Sequence, residues 1–324
     1  MKKSICLFLF LLLMLFHADY VTEGAKYGLL LWYSSVVPAL FPFMVLSGLI
    51  VAGGGLSVLM KPFYLLLHPL LGLSAEGCYV LVAGLLCGYP MGAKTCADFM
   101  REGRLSLAES QFLMAIANHP SPMFVLGYVY PFFREQATLS RLLLSVYGPV
   151  FLIAVAAKLV YRPAPAFPML LKDSAMEQTA GSLPAGPGSR TVSKDSQPAS
   201  VSSAAADASI LSAVELLCKI GGYLILFSIG IVFLRHAACL PFSLRLPLVI
   251  SMEMTTGIRE AAASLAFPLS GAAACAALTF GGFSGIFQTR SVIADAKKTG
   301  LSIRPYCIWK LLHAGLAAGC FLVL

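Results

Sequence analysis

A chain of 324 residues that is 58% hydrophobic and 12% charged, with mean hydropathy +0.83, does not describe a soluble protein. Several of its stretches approach the ~20 apolar residues that cross ~30 Å of hydrocarbon. The formal charge of +8 does not indicate nucleic-acid binding, because Lys and Arg are scattered through short loops between apolar runs, where cytoplasmic loop bias puts them.

At the amino terminus, Met1-Lys2-Lys3 precedes the apolar run from Ile5 to Phe16 in the manner of a signal peptide. The small-x-small cleavage pattern is missing around Phe16-His17-Ala18, so a retained helix in a unit 1–20 is expected, with its amino end cytoplasmic. Membrane segments are then predicted at 27–52, 56–73, 76–93, 108–133 and 138–161, forming a first half over 21–162. Residues 163–209 turn abruptly rich in Pro, Ser, Ala and Gly, which predicts a disordered linker. Segments at 210–235, 241–259, 262–288 and 305–324 form a second half over 210–324. Pro38 and Pro42, then His119, Pro120 and Pro122, and Gly257 after a polar Glu-x-Thr-Thr stretch interrupt helical hydrogen bonding inside apolar segments. Interrupted helices survive in lipid only where they line a protein interior or a watery cavity. The expected fold is therefore an all-α, polytopic membrane bundle with two repeat-related halves and Gly/Pro-broken or re-entrant helices.

The repeat rests on Gly84-Leu-Leu-Cys-Gly88-Tyr89-Pro90-Met-Gly92-Ala-Lys94, followed by a polar turn and Asn118-His119-Pro120-Ser121-Pro122. Its proposed counterpart is Phe280-Gly281-Gly282-Phe283-Ser284-Gly285 with Gln288-Thr289-Arg290, a turn 297–302, and a last segment carrying His313. Residues 84–100 and 281–297 are thus expected to be equivalent breaks meeting near the membrane middle, the usual mark of a transporter's central site.

Spacing counts against two enzymatic readings. In Gly88-Tyr-Pro-Met-Gly-Ala-Lys-Thr95, three residues separate Gly88 from Gly92 and Ala93 intervenes before Lys94, unlike a Walker A loop. Ser284 and His313 suggest a rhomboid-like intramembrane protease, but a charged turn stands where such enzymes have a further helix. Nine cysteines, an odd number without C-x-x-C, and five histidines without ligand spacing support no disulfide framework and no metal site. No enzyme activity and no cofactor are expected.

What fits is a binding cavity. Lys94 and Arg290 follow the two breaks and would add positive charge beside helix amino ends, suiting an anionic solute, or else would simply mark cytoplasmic helix ends. Glu253 is an isolated acid in an apolar run, and an intramembrane carboxylate is a functional-site hypothesis by default. It could carry a coupling H⁺, hold Na⁺ with Thr255 and Thr256, or neutralise Lys94 or Arg290. Asn118 and Ser121 supply neutral hydrogen-bonding groups in the first half, for solute or for helix contact.

The Cys87-Gly-Tyr-Pro-Met-Gly-Ala-Lys94 motif, the run Gly28 to Val51, the Asn118-to-Pro122 stretch and the Glu253-x-Thr-Thr-Gly segment resemble the bacterial sporulation integral membrane proteins of the YlbJ type. That family carries the nucleoside-recognition "gate" domain, and the resemblance covers nearly the whole chain except the linker. It implies a multi-pass protein of mother-cell or forespore membranes, a dipicolinate-like cargo, and a site that includes Gly88, Tyr89, Pro90, Gly92 and Lys94. His119 and Pro120 depart from the small polar residues expected there, and the linker is expanded. The partners implied are a small anionic solute, the bilayer and a coupling ion, with a homo-oligomer compatible and nucleic acid absent. A non-transporting scaffold for sporulation partners is the alternative, and a rhomboid-like intramembrane protease the enzymatic runner-up.

Overall fold

The computed structural model describes residues 2–53, 56–163, 203–237, 239–294 and 300–324, and the regular structure among them is helical. Helix α1 (Lys2–Phe16) is followed by α2 (Ala18–Leu31), which runs through a π-helical turn at Trp32–Val36 into α3 (Val37–Ala52). The first half continues with α4 (Leu56–Leu71), α5 (Ala75–Cys87), α6 (Met91–Arg101), α7 (Leu107–Ile116), α8 (Pro122–Phe132) and α9 (Leu139–Tyr161). The second half comprises α10 (Ser203–His236), α11 (Phe242–Met252), α12 (Met254–Ser264), α13 (Leu269–Phe280), α14 (Gly282–Val292) and α15 (Ile303–Val323). Among the described residues, Ala18–Ala52, Leu139–Tyr161, Ser203–His236, Leu269–Val292 and Ile303–Val323 are long and apolar enough to cross a membrane. Leu59–Leu71 and Ala75–Cys87 form a further pair bent by 101°.

Side chains are distributed for lipid rather than water. Leu30, Leu65, Leu159, Leu226 and Ile308 face outward, whereas Ser47, Asn118, Thr256, Ser270, Thr289 and His313 are buried. In a bilayer the apolar exterior costs nothing, so close backbone approach and internal hydrogen bonds hold the helices together. Gly24 and Gly28 on α2 show this: a Cβ at Gly28 would come 2.7 Å from the Ile225 Cα on α10. Trp32 Nε1 donates to the Leu217 carbonyl at 2.8 Å, fixing α2–α3 antiparallel along α10.

Three boundaries differ from the sequence reading. The prolines at 38 and 42 do not break their span; the strain is absorbed by the π-turn just before, since a proline ring clashes with the carbonyl four residues back. Most of the predicted linker, 164–202, lies outside the described residues, but 203–209 open α10. Ser203-Ala-Ala-Ala-Asp-Ala-Ser209 combines low complexity with the residue of highest helix propensity, and propensity prevails. Finally, α1 spans ~22 Å at ~1.5 Å per residue, less than the hydrocarbon thickness, and the expected boundary at residue 20 falls inside α2.

The two halves share an order of elements, in a different pairing from the one expected. α5 and α6 fold back on each other about Gly88-Tyr89-Pro90, so closely that Cβ atoms on Gly84 and Gly92 would both strike the Ala117 carbonyl. The open end of this hairpin is tied by Arg104 and Glu76, 3.7 Å apart. α11 and α12 form a second hairpin about Glu253, and both arms return to Arg235: Arg245 Nη1 donates to its carbonyl at 3.0 Å and Glu260 pairs with its guanidinium. After each hairpin comes an interrupted span, α7–α8 broken at 117–121 and α13–α14 broken at Gly281, and then a continuous helix, α9 or α15. Residues 84–100 therefore correspond in order to 242–264, and 107–132 to 269–292. The Gly-rich sequences at 88 and 281 are alike because both bend backbone in a crowded interior, not because they occupy the same place in the repeat.

Candidate functional site

The long helix α10 shows how the hairpins are oriented. Ser209, near its amino end, shares a cavity with Asp98 and Glu102 at the open end of the first hairpin. Arg235, near its carboxyl end, holds the open end of the second. These positions are separated by about 39 Å of helix, so the hairpins enter from opposite faces. Their tips meet at half height, where Ile220 and Leu224 of α10 line one cleft together with Tyr89 and Glu253.

All four interruptions contribute to that cleft. Its wall includes Cys87, Gly88 and Tyr89 from the first tip, Pro120 and Ser121 from the α7–α8 break, Glu253 and Thr255 from the second tip, and Gly281, Ser284 and Gln288 from the α13–α14 break. Two glycines make the assembly sterically possible. Gly281 has φ +80 and a Cβ there would sit 3.4 Å from the Tyr89 ring, while one on Gly282 would sit 3.0 Å from the Glu253 Cα. The middle of the broken span is thereby wedged between the two tips, and the Tyr89 hydroxyl locks it by donating to the Leu278 carbonyl.

Helix amino ends converge here, and their capping differs. Ser121 caps α8, accepting from Phe124 N at 3.3 Å. Glu253 caps α12, its two carboxylate oxygens accepting from Thr255 N at 3.0 Å and Thr256 N at 2.9 Å, with the Thr255 hydroxyl as a further donor. α14 starts at Gly282 with no side-chain cap. Its first N–H groups carry the partial positive charge of a helix amino end toward the cleft.

The sequence-predicted residues divide into three groups. Gly88, Tyr89, Ser121, Ser284, Glu253 and Thr255 line the cleft. Pro90, Gly92, Asn118 and Thr256 are buried behind it as framework. Asn118 is the bolt: its Oδ1 accepts from Ala93 N at 3.4 Å, and its Nδ2 donates to Thr289 Oγ1 at 3.1 Å and to the Tyr306 hydroxyl at 2.8 Å. The expected cations form the third group, and they do not share the cleft. Lys94 is paired with Asp98 at 2.8 Å in the separate cavity near the amino end of α10, and Arg290 is exposed. One turn of helix beyond a break is enough to turn a side chain away from it. Glu253 accordingly pairs with neither; its partners are backbone amides and Thr255. Ser284 accepts from Gln288 Nε2 at 3.0 Å, and His313 Nε2 donates to the Val146 carbonyl at 2.8 Å, so each has a partner other than the other.

The buried cation that the sequence reading missed is Lys310, on α15. It was visible as a lone lysine inside an apolar span, the same signal that singled out Glu253. Asn118→Ala will lower the melting stability of the purified protein by on the order of 1–3 kcal/mol, since the Ala93, Thr289 and Tyr306 groups lose their partner in a buried site. A thermal unfolding curve in detergent measures this.

Toward the amino end of α10 the cleft is closed by an apolar cluster that contains Met44, Leu217 and Ile220, with Met91 against it. Beyond that cluster opens the second cavity, whose wall includes Ser47, Tyr79, Lys94, Asp98, Glu102 and Ser209. On the opposite side, Tyr128 donates to the Thr255 carbonyl at 2.9 Å, and Arg259 lies 4.6 Å over the Tyr27 ring.

The chain matches the sporulation integral membrane protein YlbJ of Bacillus subtilis (strain 168) with 28% identity over 329 residues, covering 95% of this chain and 78% of YlbJ. No family model matches the chain, and no solved structure does so significantly. The similarity spans both halves, and with the apolar helices it supports a multi-pass membrane protein.

Proposed function

We propose that this protein carries a small anionic solute across the membrane, without nucleotide hydrolysis, through the cleft between the two hairpin tips. The observation that carries this reading is the meeting of four helix interruptions at half height between hairpins of opposite orientation. Such backbone is tolerated in lipid only around an internal cavity, and it is what an alternating-access site needs. The Met44–Leu217–Ile220 cluster would then be a thin gate to the polar vestibule, and the Tyr128–Thr255 contact the gate on the other side.

Charge recognition in this proposal comes from the uncapped start of α14, with Ser121, Ser284 and Gln288 as neutral donors. Lys94 takes the role of a vestibule residue. Dipicolinate, a planar ring with two carboxylates, is the cargo the family resemblance suggests, which would place the protein in a sporulation membrane. Glu253 beside the same cleft is the acid available for H⁺ or Na⁺.

The test is uptake of labelled dipicolinate into proteoliposomes containing only this protein. Saturable uptake above protein-free vesicles is expected. Arg290→Gln should change it by less than about twofold, since an exposed charge outside the cleft contributes little. No uptake of dipicolinate or of related dicarboxylates by correctly inserted protein would favour a scaffold that only recruits partners.

A further inference from the structure

Behind the first hairpin tip lies a cluster of basic groups that the solute site does not use. Lys310 is 2% exposed, and its Nζ donates to the Asn118 carbonyl at 2.7 Å. The ammonium sits 4.8 Å from the centre of the Tyr89 ring and 5.9 Å from that of Tyr306. Beside it the rings of His119 and His313 meet edge to face at 4.9 Å. Nδ1 of His313 and at least one ring nitrogen of His119, whose other neighbour is the Ile116 backbone, are buried with no hydrogen-bond partner among the described residues. No carboxylate pairs with Lys310 among the described residues; the further titratable groups around Tyr89 are Tyr306, Tyr147 and Glu253, the last a residue of the cleft wall.

A structural bolt does not require this chemistry. One carbonyl acceptor satisfies a single N–H, and a charged ammonium at this depth without a counter-ion is costly. Lysine, unlike arginine, escapes that cost by giving up its proton. Unpartnered histidine nitrogens in a buried site call for water or a proton. Tyr89 connects the cluster to the cleft, since one face of its ring attracts the ammonium while the residue forms the cleft wall.

We propose that Lys310 is a proton-binding site that couples proton movement to the solute step, with His119 and His313 as its exchange partners. This rests on the transport reading above. The amine takes up one proton from the aqueous phase when an anion occupies the cleft, and the ammonium returns that proton to the opposite aqueous phase after the anion leaves. Nothing else is consumed. The anion supplies the counter-charge that the protein withholds.

Two variants separate this from a packing role: Lys310→Met is permanently neutral, and Lys310→Arg permanently charged. In proteoliposomes loaded with a pH-sensitive dye, with dipicolinate as probe, a gradient of one pH unit, acid outside, should raise wild-type accumulation by up to roughly tenfold per coupled proton. Both variants should exchange labelled for unlabelled dipicolinate at equal pH yet lose the gradient response. A gradient response kept in either variant, or restored by arginine alone, overturns the proposal. A second measurement does not depend on transport: nuclear magnetic resonance of lysine-labelled wild-type protein in nanodiscs, with the Lys310 signal assigned by its loss in Lys310→Met. That signal should report gain and loss of a proton within the pH range in which the protein stays folded. A Lys310 that stays in one protonation state across this range overturns the proton site, whereas a titrating Lys310 without uptake overturns only the transport reading.

Discussion

Gly84→Val and Gly92→Val will each prevent accumulation of folded protein in the membrane. The two glycines face each other across the first hairpin, and both face the carbonyl of Ala117 in the α7–α8 break. A Cβ at either position meets backbone rather than the far end of a flexible side chain, so relief requires the hairpin and the break to separate. Overpacking in a core costs ~1–3 kcal/mol when side chains can adjust, and here the cost is larger because they cannot. Separation also pulls Asn118 away from Ala93 and shifts Tyr89, so the loss spreads through the cluster that holds both halves together. Gly127→Ala and Gly148→Ala are the controls, since a Cβ at those positions has no atom within 4 Å. Membrane abundance and detergent melting of the four variants give the comparison. Normal melting of Gly92→Val would mean that the arms of this hairpin do not approach as closely as described.

The sequence made the outer logic of this fold legible and left the inner pairing hidden. Apolar runs marked the long helices, since a helix-length run of Leu, Ile and Val with an outward apolar face is stable in lipid and not in water. Gly88, Tyr89, Ser121, Glu253 and Ser284 were found because glycine, proline and a lone acid are out of place in such runs, and these residues do share one cleft. Which break matches which was not legible. Similarity between 84–94 and 280–290 reflects a common need for small residues in tight backbone, whereas the true correspondence of the hairpins joins Gly88-Tyr89-Pro90 to Glu253, a tip made of quite different residues. Side-chain direction was hidden too. Lys94 and Arg290 follow their breaks in sequence, yet helical rotation carries both away from the cleft, while Lys310, distant in sequence, comes to Tyr89.

Glu253→Asp will keep the stability of the wild-type protein and lose its uptake, whereas Glu253→Ala will lose both. The wild-type carboxylate does two things. It caps α12 through the Thr255 and Thr256 amides, and it forms part of the cleft wall. Removing it leaves buried amide groups at a helix amino end without an acceptor, a cost of about 1–2 kcal/mol that should appear as lower melting stability in detergent. Aspartate is itself a favoured cap and carries the same charge toward the positive end of α12. Its carboxylate lies one methylene shorter, however, so it reaches the amides only by withdrawing from the cleft. Glu253→Gln falls between them, because the amide keeps one accepting oxygen and loses the second, along with the charge. If Glu253 touches the solute or its coupling ion, uptake will follow the carboxylate's position in the cleft and fall at least tenfold in the aspartate variant, a loss of about 1.4 kcal/mol or more in the transport step. If instead uptake tracks melting stability through Asp, Gln and Ala, the acid is a helix cap alone, and the coupling role passes to the cluster around Lys310.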